Sequence, residues 1–274
     1  MVKRTNKVPA LAVQDPQGHK GTYGTVGLLC GSEGMLGAAI LCARGALRGG
    51  AGLVRACLPE SLMAPFTVAV PAATTLARTV DLRGLLEGVN ALVVGPGLGT
   101  RSPAHQQVQQ VLSVLRSSTV PTVLDADGLN LIAPLQQKLE TAAPVLLTPH
   151  PGEAGRLLQK SSADVQKDRE AAALAVAERS GQICVLKGAG TLVTCGERLF
   201  ENHTGNPGLA TGGAGDVLAG LMGALLAQGM DPFDAACLAV HVHGRAGDLV
   251  AERLSQPGVT AEDLPLAIAE VMAK

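Results

Sequence analysis

Aromatic side chains are nearly absent from this 274-residue chain, which holds no tryptophan, one tyrosine and three phenylalanines. A platform on which single-stranded nucleic acid stacks needs several such rings. The formal net charge of −1 supplies no basic excess for a phosphate backbone either. The composition therefore argues against a nucleic-acid-binding protein.

The chain also lacks long apolar runs and paired cysteines. No uninterrupted apolar stretch approaches the roughly 20 residues that span a bilayer, and the basic amino terminus lacks the apolar core of a signal peptide. The six cysteines form no C-x-x-C pair and mostly lie in apolar segments, which favours core thiols in a reducing cytosol over disulfides or zinc. We therefore expect a cytoplasmic protein. Hydrophobic residues make up 47% of the chain, so we also expect a large core and buried subunit interfaces.

Short apolar runs typical of buried strands alternate with helical segments rich in Ala and Leu. This alternation predicts one compact α/β domain, with a mainly parallel sheet and helices on both faces. The turn at residues 187–190 separates two apolar runs and predicts an antiparallel hairpin near a sheet edge. Strands are predicted at 26–30, 53–58, 91–95, 122–126, 145–148, 183–187 and 191–194. Helices are predicted at 38–48, 103–115, 163–180, 216–228, 232–255 and 261–273.

Polar and glycine-rich strings follow five of these predicted strands. Ligands of doubly wound sheets bind beyond the carboxyl ends of the strands, so we expect the five strings to build one composite site. The strings are residues 31–37, 95–99, 125–130, 148–153 and 187–191.

A glycine-dense loop runs into an apolar helical segment late in the chain, with Asp216 at the junction. Gly212, Gly213, Ala214 and Gly215 have almost no side chain, so their N–H groups can approach a phosphate at the positive end of the helix. Asp216 could then take a proton from an attacking hydroxyl. The alternative is a flexible turn with a helix-capping Asp.

The other strings leave their own alternatives open. Asp125 or Asp127 could hold Mg²⁺ through water or cap a helix. Two prolines fix the backbone around His150, which favours a ligand-binding role for its ring, and Glu153 could act through a metal or its water. Lys187 begins a turn that could contact a nucleotide or form a plain hairpin. The turn is not a P-loop, because the chain contains no G-x-x-x-x-G-K-[ST] sequence. The glycines of residues 31–37 do not fit G-x-G-x-x-G, so an NAD-type Rossmann site has little support.

Taken in order, these strings resemble the ADP/ATP-dependent NAD(P)H-hydrate dehydratases of the ribokinase-like superfamily, over roughly residues 19–250. The resemblance implies a three-layer α/β/α sandwich, with residues 1–18 as an extension and 19–274 as a single domain. Some members carry an amino-terminal epimerase domain, which we expect to be missing here because the chain begins close to the match. Members of this family resemble proteins that assemble into oligomers, often tetramers, so the resemblance also implies a homotetramer.

The resemblance further implies a repair reaction, in which ADP or ATP with Mg²⁺ phosphorylates the 6-hydroxyl of hydrated NADH or NADPH and phosphate then leaves. Asp216 would be the base, and residues 212–215 would form the anion hole. Glu153 would serve the metal through water. The implied nucleotide-binding residues are Lys187, Gly188, Ala189, Gly190, Thr191 and Gly215. The implied hydrate-binding residues are Ala38, Ala39, Gly97, Gly99, His150 and Asp216.

Two other functions compete with this one. A vitamin-precursor kinase of the same superfamily would use the same Asp216, although the string around His150 and the loop at 95–99 favour the dehydratase. A nucleotide sensor without turnover would need no carboxylate at a phosphate-binding helix start. Relatives of this fold often have Ser or Thr where this chain has Ala214, which leaves backbone donors alone in the anion hole.

Overall fold

A computed structural model describes residues 2–11, 15–78 and 82–273. It contains a ten-stranded sheet in the order β1-β10-β9-β8-β7-β6-β5-β2-β3-β4. The strands are β1 Lys3–Thr5, β2 Thr25–Leu29, β3 Leu53–Leu58, β4 Thr74–Ala77, β5 Ala91–Val94, β6 Thr122–Leu124, β7 Val145–Leu147, β8 Ile183–Leu186, β9 Thr191–Thr194 and β10 Arg198–Asn202. The helices are α1 Leu36–Arg48, α2 Glu60–Ala69, α3 Arg83–Leu86, α4 Ser102–Leu115, α5 Asp127–Ile132, α6 Pro151–Leu158, α7 Ser162–Lys167, α8 Arg169–Ser180, α9 Ala214–Ala227, α10 Pro232–Arg253 and α11 Leu264–Met272.

The sheet is mainly parallel, as the alternation of strands and helices predicts. Strands β2 to β8 all run parallel to one another, while β9 is antiparallel to both β8 and β10. The predicted hairpin is thus the β8–β9 pair, two strands from the edge. Every residue of β2, β5 and β8 is buried, because helices cover both faces of these central strands.

Two hydrophobic clusters fill the spaces on either side of the sheet. Helices α1, α2, α9, α10 and α11 supply one cluster, and helices α3 to α8 supply the other. The α/β/α sandwich predicted from the sequence is confirmed. Helix α9 is buried along nearly its whole length, in keeping with an apolar character on all sides.

Helices α1 and α9 touch backbone to backbone. A Cβ on Gly45 of α1 would lie 2.3 Å from the carbonyl oxygen of Val217, and a Cβ on Gly220 of α9 would lie 1.9 Å from that of Cys42. Neither position can hold a side chain without separating the helices. The two helices therefore pack with no side chains between them at these positions.

The sequence-based element predictions are incomplete. The predicted helix at 163–180 is wrong as a single unit, because Asp168 leaves the helical conformation with φ −145° and ψ 82° and caps α8 through the N–H of Ala171. Strands β1, β4 and β10 and helices α2, α3, α5 and α6 were not predicted. These strands lie at or beside the sheet edges, where partial exposure weakens the apolar signal.

All six cysteines are free thiols and five are buried, which confirms the prediction of core thiols. None of the helices in the described ranges is long and apolar enough to cross a bilayer. Near the amino terminus, Lys3–Thr5 pairs in parallel with residues 198–200. The division into an extension and a domain stays a prediction.

Candidate active site

The five strings lie at one rim, because β2, β5, β6, β7 and β8 are parallel and each string follows one of them. Hydrogen bonds join neighbouring loops along this rim. The N–H of Gly31 donates to Pro96 O at 2.7 Å, the N–H of Gly99 to Asp127 Oδ2 at 2.8 Å, and the N–H of Lys187 to Pro149 O at 2.9 Å. Asp127 thus holds the neighbouring loop instead of presenting both oxygens to a metal.

A buried ion pair lies at the centre of the rim. Lys187 Nζ donates to Asp125 Oδ1 at 2.6 Å, and Thr148 Oγ1 donates to the same oxygen at 2.7 Å. The Asp125 side chain is 2% exposed, so its charge depends on these two donors. Burial opposes the charge on Lys187, but Asp125 and Glu153 outweigh that effect and raise the pKa of Lys187.

His150 is both exposed at the rim and part of a helix cap. Its ring Nδ1 accepts from the backbone N–H of Gly152 at 3.0 Å, while the backbone N–H of His150 donates to Glu153 Oε2 at 2.8 Å. The two residues thus form a capping box at the start of α6. Burial, with help from Lys187 and Arg156, lowers the pKa of His150 despite the charge of Glu153. The ring is therefore neutral at neutral pH and fixed in orientation.

The loop before α9 brings Asp216 to this rim. Gly213 has φ +91° and forms the helix N-cap, and a Cβ at Gly215 would lie 3.3 Å from Lys187 Nζ and 3.9 Å from Asp125 Oδ2. The first turn of α9 therefore lies directly against the ion pair. Within the described residues Asp216 makes no hydrogen bond or ion pair, so its carboxylate is free to act on a ligand.

Asp216 has the electrostatics of a base. Burial raises its pKa to about 7, the charge of Asp125 adds to the rise, and Lys187 opposes it. A carboxyl group with a pKa near the working pH can both accept and release a proton. Such a shift in a cleft is typical of functional sites.

A cavity of about 770 Å³ opens beside the ion pair. Its walls are the 187–191 turn, the 201–210 segment, the first turns of α9 and part of α10. The six residues predicted to bind the nucleotide all line it, namely Lys187, Gly188, Ala189, Gly190, Thr191 and Gly215. Among the predicted anion-hole residues, Ala214 also lines the cavity, while Gly212 is exposed and has open space around it.

Four of the six residues predicted to bind the hydrate, Ala38, Ala39, Gly97 and Gly99, follow β2 and β5, on the other side of Asp125 from the cavity, whereas His150 follows β7 and Asp216 lies on α9. A Cβ on Gly97 would come within 2.7 Å of Ala38 Cβ, and Ser32 Oγ donates to Gly97 O at 2.9 Å, so the loops after β2 and β5 pack together. Ala38 is half-buried, whereas Ala39 is fully buried and can meet a ligand only through its backbone.

Three residues that line the cavity or hold its walls, Arg169, Asp248 and His243, were not predicted from the sequence. Arg169 donates to Leu186 O at 3.1 Å and Gly190 O at 3.3 Å, which fixes the turn between β8 and β9. Asp248 accepts from the N–H of Gly205 and from Asn206 Nδ2, each at 3.1 Å, and so holds the 201–210 wall. His243 lines the cavity as well. In the sequence, the Asn206-Pro207 pair indicates a turn in the 201–210 wall. The contacts of Arg169, Asp248 and His243 join segments that are far apart in the chain, so no local pattern indicates them.

The carboxylates suit a weakly held hard cation better than a protein-built metal cage. Across the described ranges, no three His, Cys, Asp or Glu side chains are grouped as metal ligands. Glu153 Oε2 accepts from the backbone of His150 and lies 4.0 Å from Lys187 Nζ. Mg²⁺ prefers one or two carboxylates, water and phosphate oxygens, so this donor set fits Mg²⁺ that arrives with a nucleotide.

The family model of the NAD(P)H-hydrate dehydratases matches residues 26–270. The chain belongs to this family. The NAD(P)H-hydrate dehydratase match includes the rim strings, the cavity and Asp216, and it agrees with the resemblance drawn from the motifs.

Individual relatives agree with this assignment. The bifunctional NAD(P)H-hydrate repair enzyme Nnr of Escherichia coli K12 is 40% identical over 251 residues, which cover 91% of this chain and 47% of the relative. The chain thus spans about half the length of such bifunctional relatives. An ADP-dependent (S)-NAD(P)H-hydrate dehydratase of Neisseria meningitidis is 41% identical over 85% of this chain and 79% of the relative. The crystal structure of the Bacillus subtilis ADP/ATP-dependent dehydratase, obtained with ATP and Mg²⁺, superposes with a TM-score of 0.88 at 33% identity, covering 96% and 93% of the two chains.

Proposed function

We propose that this chain dehydrates hydrated NADH or NADPH to the reduced dinucleotide in a reaction that consumes ADP or ATP. The observation that carries the proposal is the unpartnered carboxylate of Asp216, with its pKa raised to about 7, in the first turn of α9 beside the nucleotide-sized cavity. Membership of the dehydratase family supports the same reaction.

Asp216 accepts the proton of the ring 6-hydroxyl as the hydroxyl oxygen attacks the terminal phosphoryl group of the nucleotide. The bond between that phosphorus and its bridging oxygen breaks, and the shortened nucleotide leaves. Phosphate is a better leaving group than hydroxide, so the ring nitrogen lone pair then expels it with cleavage of the C6–O bond. Loss of a proton from C5 restores the reduced ring.

The charge that builds on the transferred phosphoryl group meets backbone donors. The N–H groups of Gly212, Gly213, Ala214 and Gly215 surround the positive end of α9, where donors fixed in advance stabilise developing charge most strongly. Lys187 and the turn that follows it hold the phosphates of ADP or ATP. Glu153 would hold Mg²⁺ through a water molecule, and the cation would neutralise part of the phosphate charge.

The hydrate lies on the β2 and β5 side of Asp216. The hydrate ring lies against Gly97, Gly99 and the backbone of Ala38 and Ala39. Nδ1 of His150 accepts from the N–H of Gly152, and its Nε2 lies 3.4 Å from Glu153 Oε1, so Nε2–H can donate either to Glu153 or to the hydrate. In this proposal the 6-hydroxyl lies between Asp216 and the phosphoryl donor.

We further propose that the protein forms a homotetramer in the cytoplasm. Among the described residues, four large apolar side chains are exposed, namely Met35, Val68, Leu254 and Leu266, and contacts between subunits would bury them. The free thiols fit a reducing compartment.

The decisive experiment is recovery of the absorbance of the reduced nicotinamide ring. Purified protein with Mg²⁺ and either ADP or ATP should restore this absorbance in a solution of hydrated NADH, and omission of the nucleotide should abolish the recovery. No recovery with either nucleotide, together with phosphorylation of a vitamin alcohol, would replace the dehydratase by the kinase.

A further inference from the structure

His243 is a buried histidine that the proposed mechanism does not use. It belongs to α10, is 7% exposed and lines the cavity between α9 and α10. Its Nε2 lies 3.0 Å from the carbonyl oxygen of Ala214, the first residue of α9. The ring therefore joins the cavity wall to the start of the helix that carries Asp216.

The contact with Ala214 fixes the tautomer of His243. A carbonyl oxygen can only accept a hydrogen bond, so Nε2 carries the proton. Burial lowers the pKa of His243 to about 4; the bond to Ala214 opposes this effect and the charge of Lys187 adds to it. Near neutral pH the ring is uncharged, and Nδ1 is a bare acceptor.

Nδ1 of His243 has no hydrogen-bond partner in the described part of the chain. It is not sealed from solvent either, because Gln110 Oε1 is the sole fully buried and unpartnered side-chain N or O atom among the described residues. The open space that His243 borders is the 770 Å³ cavity. Without a ligand, water can donate to this acceptor; a ligand that displaces the water has to bring a donor of its own, or it leaves Nδ1 unpartnered.

An adenine nucleotide carries such donors only on its nucleoside. Its ionised phosphates accept hydrogen bonds, whereas the ribose hydroxyls and the adenine amino group donate them. We propose that His243 Nδ1 accepts a hydrogen bond from one of these nucleoside groups and thereby determines which nucleotides the cavity takes. The identity of the ligand as an adenine nucleotide rests on the proposed function.

The test measures binding of four diphosphates by calorimetry: ADP, 2′-deoxy-ADP, 3′-deoxy-ADP and purine riboside diphosphate, which lacks the amino group. The wild-type protein is compared with His243→Phe, which has no ring nitrogen, and with His243→Gln. The Gln side chain keeps an N–H donor for Ala214 O but has no acceptor at the Nδ1 position. The three analogues distinguish the possible donors.

We expect one analogue to bind the wild-type protein about tenfold more weakly than ADP, the typical effect of one hydrogen bond. That ratio should fall close to one in both variants. A wild-type protein that binds all four within twofold would overturn the inference. So would a ratio that survives in His243→Phe, or one that His243→Gln retains, because either result would mean that His243 only braces α9.

These measurements do not require turnover, so they separate the inference from the proposed function. If ADP binds and the coupling to His243 is present but hydrated NADH is not dehydrated, the inference stands and the reaction assignment fails. If the wild-type protein does not bind ADP, the inference and the nucleotide-dependent reaction both fail.

Discussion

Lys187 Nζ and Asp125 Oδ1 lie 2.6 Å apart, although 62 residues and one intervening strand separate them. The pair stands between the cavity and the loops after β2 and β5, and Gly215 packs against both partners. It also acts on Asp216 in opposite directions, since Asp125 raises the pKa of that carboxyl group and Lys187 lowers it. The charge of the proposed base therefore depends on a pair that it does not touch through a hydrogen bond.

Replacement of the proposed base tests its role directly. Asp216→Asn should lower turnover of hydrated NADH by about a hundredfold or more, because a positioned base typically contributes that much. Its dissociation constant for ADP should stay near the wild-type value, since Asp216 lies beyond the phosphates. Glu178→Gln, an exposed carboxylate changed in the same way, is the control. Near-normal turnover in Asp216→Asn would remove the base from the mechanism.

The activity should depend on pH through Asp216. A base works only when ionised, so kcat/KM should fall as the pH drops through about 7. Initial rates at saturating nucleotide from pH 5.5 to about 9 would define this limb. A profile that stays flat down to pH 5.5 would contradict the raised pKa.

Removing either partner of the Lys187–Asp125 ion pair should shift the midpoint of this pH profile, in opposite directions. Asp125→Asn removes a negative charge and should shift the midpoint to lower pH, whereas Lys187→Met removes a positive charge and should shift it to higher pH. The measurement is the midpoint of the kcat/KM profile, which a general loss of folding does not move. Shifts of the same sign in both variants would disprove the electrostatic coupling.

Asp216 should also make the protein less stable as the pH rises. Its pKa in the folded state is about 7, above the ordinary value of 3.8, so the folded state binds more protons between these limits and stability falls from pH 4 to pH 7. Asp216→Asn should thus be more stable than the wild type at pH 8, by roughly 1–3 kcal/mol after allowance for partial exposure. The difference should vanish below pH 4, as measured by urea denaturation.

Two neighbouring glycines should differ sharply when changed to alanine. At Gly213 the backbone has φ +91° and a Cβ would lie 2.3 Å from Leu41 Cδ1, so Gly213→Ala should cost about 2–3 kcal/mol. At Gly212 a Cβ meets nothing within 4 Å. Gly212→Ala should keep the wild-type melting temperature but lower turnover, because its methyl group enters the space proposed for the phosphoryl group. Equal melting temperatures in the two variants would contradict this geometry.

The sequence predicted the parts of the site that are local in the chain. The loop before α9, Asp216 and the 187–191 turn could be read because small residues, an acid and a following apolar helix are neighbours in sequence. The parallel strand order then placed five strings at one rim. Their joint position needed only the rule that parallel strands end at the same edge.

Contacts between distant segments could not be read in this way. The partnership of Asp125 with Lys187 depends on strand register, and the place of His243 depends on which face of α10 meets α9. His150 was predicted as a ligand-binding ring, but its hydrogen bonds show that it also caps α6. Strand β10, which leads into the cavity wall, escaped prediction because its sequence mixes charged and apolar residues.

The close contact of α1 with α9 determines which parts of this protein can move. The loop after β2, which we propose contacts the hydrate, leads into α1, and the proposed base Asp216 lies on α9. Gly45 and Gly220 bring the two helix backbones into contact, so neither helix can shift without moving the other. The loop before α1 and the proposed base on α9 therefore move together as one rigid body. We expect any opening that admits a nucleotide to occur in the opposite wall, residues 201–210, which the hydrogen bonds of Asp248 and the contact of Leu209 with Gly247 hold in place.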